Sequence, residues 1–264
     1  NFLVHPQGAA TRRVGTQFIA EVKSSAAKTR LIPFEFSTTQ TYILEFGNTY
    51  IRFFKDKGQI LSGGSAYEIS SPYLTAELFD IKFAQSADVM YITHPNHEVM
   101  KLSRTGHTAW TLAAIDFTDG PYLAENTTTT TLTPASAGTG TGVNITASAI
   151  TGINGGAGFQ TTDVGRIISF NSGKAKITAR TNSTVAVATI TTAFANTDAT
   201  AAFKLGAFSD TTGHPSCVSF FEQRLVFAGT TDEPQTLYFS QSGDYENMTA
   251  GTNASDAMVY TIAS

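Results

Sequence analysis

The residues best suited to chemistry in this chain are its carboxylates and histidines, and their spacing gives little support to catalysis. His94-Pro95-Asn96-His97 sets two histidines three apart with Glu98 beside them, a spacing found in metal sites. Proline and asparagine between two strand-like runs spell a turn instead. No cysteine or further nearby histidine completes a ligand set. His5, His107 and His214 each stand next to Pro or Gly and read as loop residues. Serine chemistry has no Gly-x-Ser-x-Gly elbow to support it. Gly138-Thr139-Gly140-Thr141-Gly142 lacks the Lys-Ser/Thr ending of a phosphate loop, and no helix follows, so a flexible linker is the better reading.

The carboxylates Asp80, Asp88, Asp116, Asp119, Glu222, Asp232, Glu233, Asp244 and Glu246 are the remaining catalytic raw material. A glycoside hydrolase needs two of them roughly 5 to 10 Å apart across a groove, and any β-rich surface offers such pairs by accident. Asp119-Gly120-Pro121 and Gly243-Asp244-Tyr245 read as turns. Arg12-Arg13 could touch phosphate or the carboxylates of a neighbouring subunit, although a solvated loop is the simpler reading. Lys55-Asp56-Lys57 marks a hairpin end. A single cysteine, Cys217, excludes an internal disulfide framework and reads as a buried strand thiol. No catalytic, cofactor-binding or metal-ligating residue is assigned.

The elements that would position these groups are strands. Tyr50-Ile51-Arg52-Phe53-Phe54 is followed by Gly58, Glu98-Val99-Met100-Lys101-Leu102 by Gly106, and Gln235-Thr236-Leu237-Tyr238-Phe239 by Gly243. Each run follows another β-like run, at residues 42–46, 89–93 and 225–228. The first two glycines lie about 48 residues apart, a period that suggests propeller blades or a related array of small antiparallel sheets. Phe53, Tyr91, Phe227 and Tyr238 fall at alternating strand positions, which core packing explains without a carbohydrate platform. The third glycine is about 137 residues beyond the second, some 90 more than one period, and implies an insertion.

The composition changes from Asn126 to about Lys204. Asn126 is followed by five threonines, and aromatics shrink to Phe159, Phe170, Phe194 and Phe203. Period-two alternation in residues 143–147, 166–170, 175–179 and 184–190 predicts strands half buried against a small core. Gly155-Gly156, Asn171-Ser172-Gly173 and Asn182-Ser183 supply turns. A small β-barrel or sandwich of roughly 80 residues is expected, with the Thr-rich run as a spacer before it. Its ends, near Glu125 and Gly206, should lie close together, as insertion at a loop tip requires.

The chain has 264 residues with 41% hydrophobic and 14% charged, including 19 Phe and 9 Tyr. Low charge with many aromatics suits a β-rich protein with extensive packed or interfacial surface. A net charge of −4 provides no global basic field for gripping nucleic acid. No run of 18 apolar residues predicts a membrane-spanning helix, and no signal peptide is visible. The first residue is not Met, and strand-like runs stand at both ends, at residues 1–4 and 259–264. The chain therefore reads as part of a longer polypeptide.

Several motifs resemble one family. They are His5-Pro6-Gln7-Gly8-Ala9-Ala10-Thr11-Arg12-Arg13-Val14-Gly15-Thr16, Leu31-Ile32-Pro33-Phe34-Glu35-Phe36, Phe83-Ala84-Gln85-Ser86-Ala87-Asp88, His94-Pro95 and Lys101-Leu102-Ser103-Arg104. Later come Phe221-Glu222-Gln223-Arg224-Leu225, Phe227-Ala228-Gly229-Thr230 and Ser242-Gly243-Asp244-Tyr245-Glu246-Asn247. Together they resemble the nozzle proteins, or tail tubular proteins B, of short-tailed phages and related prophages. The likeness covers nearly all of residues 1–125 and 205–264. The middle is similar only to the variable β-insert that such proteins often carry.

The resemblance implies an all-β fold: irregular, partial β-propeller-like blades in residues 1–125 and 205–264, with an inserted small β-barrel or sandwich domain in residues 126–204. It implies a non-enzymatic structural component of the virion tail, made in the bacterial host cytoplasm, that forms part of the DNA-ejection channel. Its partners would be a homo-oligomer, a hexameric ring in the full-length protein, together with the tail adaptor protein and tail fibres. Phage DNA would pass through the channel without sequence-specific binding. Neither cofactor nor membrane span is implied. The oligomeric state of the chain alone stays open. The alternative is a carbohydrate-binding or polysaccharide-degrading tail protein acting on the host cell surface through a carboxylate pair and exposed aromatics.

Overall fold

Alternation of apolar and polar residues becomes strand, and among the described residues the polypeptide is all-β apart from two single-turn 3-10 helices at Asn154–Gly156 and Thr161–Asp163. The computed structural model describes residues 2–262. Asn1, Ala263 and Ser264, which end two of the strand-like runs read from the sequence, lie outside the described residues. Among the described residues no helix is long and apolar enough to cross a membrane. The chain divides into two compact units, one of residues 1–78 with 106–108, the other of residues 79–105 with 109–264.

The first unit begins with a two-stranded ribbon, β1 (Phe2–Val4) and β2 (Ala10–Arg12). A meander follows: β3 (Arg30–Ser37), β4 (Gln40–Gly47), β5 (Tyr50–Lys55) and β6 (Gly58–Gln59). A small hairpin joins β7 (Leu61–Ser62) to β8 (Ser65–Ala66), and β9 (Glu68–Ser70) pairs back onto β5. In β3 the alternation is legible residue by residue, with Ile32 and Phe34 buried and Leu31 exposed. Phe34, Tyr42, Leu44, Phe46, Phe53 and Tyr73 fill this core. Asp56 and Lys57 turn the β5–β6 hairpin with φ of 50° and 60°, the type I′ conformation that matches strand twist. This is the hairpin end expected from Lys55-Asp56-Lys57.

The second unit holds two four-stranded antiparallel meanders. One runs β10 (Lys82–Ser86), β11 (Val89–His94), β12 (His97–Gly106), β13 (Ala109–Ala114). Between them in sequence come β14 (Leu132–Pro134), β15 (Gly140–Ala147), β16 (Ile167–Phe170), β17 (Gly173–Asn182), β18 (Val185–Thr192) and β19 (Phe203–Leu205), which make one six-stranded sheet in the order β14-β15-β18-β17-β16-β19. The other meander runs β20 (Cys217–Phe221), β21 (Arg224–Ala228), β22 (Thr236–Phe239), β23 (Met258–Thr261).

The six-stranded sheet has a core of its own, built from Ile145, Phe159, Ile168, Phe170, Ile177 and neighbours within residues 132–205. Three register shifts between β17 and β18 coil the sheet, as bulges do. Its edges approach where Leu132 and Thr200 exchange backbone hydrogen bonds of 2.9 and 3.1 Å, so the sheet curls toward a half-barrel. The chain enters and leaves it side by side: Leu123 N donates to Leu205 O at 2.9 Å, and Asn126 N to Phe203 O at 2.9 Å. A separate core gathers Tyr91, Val99 and Ile115 with Ala207, Leu225, Phe227 and Tyr238. Residues before and after the curled sheet therefore share one interior. Phe117, Phe208, Phe227 and Tyr238 meet there edge to face at 5.2–6.0 Å, the arrangement that the ring quadrupole favours.

Three local expectations are corrected. The threonine run is no spacer: Thr130 is buried, and the Asn126 side-chain amide donates to the carbonyls of Thr128, Thr130 and Ala201. The reason is that asparagine can satisfy several backbone acceptors at once. The glycine-rich stretch is no free linker either, because Gly140 and Gly142 lie in β15, with a register shift against β18 between Gly140 and Val143. Cys217 is on a strand, as expected, but exposed, since strand alternation turns it outward.

Candidate functional site

The clearest concave site in the second unit is a cavity of about 310 Å³ where the 95–99 turn, the 115–121 segment, β16–β17 and the 206–214 segment converge. The His94–His97 motif is the two-residue turn expected: β11 ends at His94, β12 starts at His97, and the two residues pair across Pro95-Asn96. Their rings stand 5.0 Å apart. The turn carries His97 and Glu98 to the cavity wall. Gly165 comes close enough to Glu98 that an added Cβ would lie 3.2 Å from its Oε1. Asp116 enters from the segment after β13 and pairs with Lys176 of β17 at 3.3 Å.

The fourth wall, the 206–214 segment, contains a pair that the sequence did not single out. His214 is buried, with its Nε2 2.9 Å from Asp210 Oδ1, and its backbone N donates to Pro95 O. This Asp-x-x-x-His spacing was the available signal; Gly213 and Pro215 pointed to a loop and masked it. Ser209 sits beside this pair, yet its hydroxyl accepts from the backbone N of Thr211 and Thr212 and bonds Thr212 Oγ1 at 2.9 Å. These bonds close a turn. The cavity thus offers one ion pair, Asp116 with Lys176, and the hydrogen-bonded Asp210–His214 pair, both suited to holding segments together.

The other candidate carboxylates are dispersed among structural partners. Asp88 pairs with Arg104 at 2.8 Å, and Glu246 with Lys101 at 2.6 Å. Four tyrosines donate their hydroxyls to acids: Tyr50 to Glu45, Tyr91 to Glu246, Tyr122 to Asp119 and Tyr238 to Glu233. Burial, reinforced by the neighbouring carboxylate, pushes each of these phenols well above its ordinary acidity range. Glu222 occupies a hairpin turn with φ of 46°, beside Gln223 at 59°. Asp80 is exposed, and the backbone N of Asp244 donates to Gln241 O in the turn expected there.

Asp119 is the most embedded of the set. It accepts from Tyr122 at 2.6 Å and Thr249 at 3.0 Å and pairs with Lys174 at 2.9 Å. Burial alone would raise its pKa, but the hydrogen bonds from Tyr122, Lys174 and Thr249, with the charge of Lys174, outweigh it and hold the carboxyl below its usual range. The next residue, Gly120, has φ 61°, and a Cβ there would approach Met248 O to 2.8 Å. Glycine is therefore required there.

A second cavity, of about 320 Å³, is lined by Asn126, Asn154, Arg166, Thr212 and Asp232 among others. Arg166 is almost fully buried and donates to Gly206 O, Asn154 Oδ1 and Asp163 Oδ1 at 2.6–2.9 Å. Burial lowers its pKa, against the opposing pull of Asp163. Its sequence context, strand-like Arg166-Ile167-Ile168, gave no sign of burial. Arg12 and Arg13 are exposed at the end of the first ribbon. Phe53, Tyr91, Phe227 and Tyr238 are all buried, in accord with core packing. Compared with protein-family models and with curated proteins, the chain finds no match in either.

Proposed function

We propose that the chain is a structural, non-enzymatic component of a short-tailed phage tail, part of the nozzle through which DNA leaves the virion. The observation that carries this reading is the run of motifs from His5-Pro6 to Glu246-Asn247, distributed over both flanks of the 126–204 segment. Two features of the fold support it. The chain builds successive four-stranded antiparallel meanders, the unit from which propeller blades are made. Three of its candidate acids, Asp88, Asp119 and Glu246, are engaged with Tyr, Lys and Arg partners that reinforce the fold. In this reading residues 1–125 and 205–264 form the propeller-like platform, and 126–204 an inserted β domain.

A conduit for DNA works best when it does not grip phosphate, because each neutralised phosphate strengthens binding and slows sliding. A chain with net charge −4 meets that requirement. In the polypeptide that carries it, six copies assemble on the tail adaptor ring. Electron microscopy of that polypeptide mixed with the adaptor tests the reading: six-fold rings are expected. A protein that stays off the adaptor, or that releases reducing ends from host capsule through a single Asp or Glu, would replace it with the carbohydrate-active alternative.

A further inference from the structure

Arg166 is an enclosed cation with an unused donor. Its Nε and Nη1 donate to Gly206 O, Asn154 Oδ1 and Asp163 Oδ1, while its Nη2 is buried without a hydrogen-bond partner. An unpaired N–H of a buried cation is costly, and such a group in a folded protein points to an occupant that satisfies it. Arg166 lines the cavity of about 320 Å³. That cavity lies where the curled sheet meets the segments on either side of it, residues 123–126 before and Thr211, Thr212 and Asp232 after. Junctions of this kind are favoured ligand sites. A single water occupies about 30 Å³, so the space far exceeds what one water needs.

Other polar groups around this cavity are already spent. The Asn126 amide holds the threonine run, the Asn154 amide donates to Gly158 O and Asp163 Oδ2, and the Thr212 hydroxyl donates to Ala207 O. Arg166 Nη2 remains at the buried floor, and the carboxylate of the exposed Asp232 at the mouth. Asp232 is near enough to act on the Arg166 charge, yet the ion pair that Arg166 makes is with Asp163. Asp163 neutralises Arg166, so the surroundings with Asp232 are net negative and disfavour phosphate or a carboxylate. Leu123, Phe203 and Leu205 supply apolar wall. An occupant must therefore accept a hydrogen bond at the floor, donate one at the mouth, carry no negative charge and present an apolar side. Hydroxyls both accept and donate, and a sugar ring sets them around its edge with C–H groups on its faces.

We propose that this cavity binds one neutral sugar residue, with a ring hydroxyl accepting from Arg166 Nη2 and another donating to Asp232. The volume stands at the lower end of the roughly 300–1,000 Å³ of ligand pockets, which suits one ring. The sugar arrives free or as the end of a longer glycan, and both offer the same hydroxyls. Binding involves no bond cleavage and does not depend on assembly of the chain into a tail, so it goes beyond the structural role proposed above.

Saturation-transfer NMR of the chain with glucose, galactose, mannose and N-acetylglucosamine tests it, with inorganic phosphate as the anionic control. Transfer to at least one of the sugars is expected. Its affinity should fall at least ~10-fold in Asp232→Asn, which loses a charged hydrogen-bond acceptor. Binding should vanish in Ala124→Trp, which fills the mouth from an exposed position on the cavity lining. Circular dichroism verifies that both variants fold, as substitutions at exposed residues should. A disaccharide ending in the bound sugar separates the two sources: retained binding assigns the end of a glycan, and lost binding assigns the free sugar. Absence of transfer to all four sugars, transfer undiminished in either variant, or binding of phosphate in their place would each overturn the proposal. The measurement uses the chain alone, so its failure leaves assembly on the adaptor to be judged by its own experiment.

Discussion

At the scale of residues, Asp119 shows how an apparent catalytic candidate becomes a structural one. Its carboxylate binds Lys174 of β17, Tyr122 and Thr249, three points far apart in sequence. Substituting Asn removes the charge and leaves Lys174 and Tyr122 poorly matched, which should cost about 2 kcal/mol in chemical denaturation at neutral pH. The pH dependence has a definite sign. The folded pKa lies below the reference value of 3.8, so the stabilisation is complete above that value and is lost as pH falls through the depressed folded value. Denaturation midpoints measured between neutral pH and pH ~3 should fall less steeply in Asp119→Asn than in the wild type. Equal slopes would mean that the carboxylate is not the group responsible.

At the scale of elements, the threonine run after Asn126 has become part of the fold because one side-chain amide bridges its carbonyls to that of Ala201. Asn126→Ala leaves three partly buried acceptors without this donor, and a loss of roughly 1–3 kcal/mol is expected. Limited proteolysis should then cut within residues 126–131, where the wild type resists; unchanged resistance would show the run to be held by other bonds. Three of the hairpins share one turn geometry. Asp56-Lys57, Asn171-Ser172 and Glu222-Gln223 all take positive φ at both central positions, so the same turn geometry recurs in three different sheets.

At the scale of the whole molecule, the six-stranded sheet of residues 132–205 has its own core, while residues on either side of it contribute to another. A polypeptide of residues 124–207 should accordingly fold alone, with a cooperative thermal transition and β-type circular dichroism. Its stability should be lower than in context, because the pairings of Lys174 with Asp119 and Lys176 with Asp116 are lost. A peptide without a cooperative transition would show that the sheet depends on its flanks.

The sequence by itself determined the all-β class, the strand runs at residues 42–46, 50–54, 89–93 and 225–228, and the turn at Pro95-Asn96, because each rests on local chemistry: period-two alternation and the backbone preferences of Pro, Asn and Gly. It also marked Phe53, Tyr91, Phe227 and Tyr238 as core residues through the same alternation. Only the tertiary structure decided that Asp119 meets Lys174, that His214 faces Asp210 from a buried position, that Arg166 is enclosed and that Cys217 faces outward. Those outcomes depend on which strands become neighbours and on which face of each sheet is covered. Both are set by long-range pairing, which leaves no periodic trace in the residues themselves.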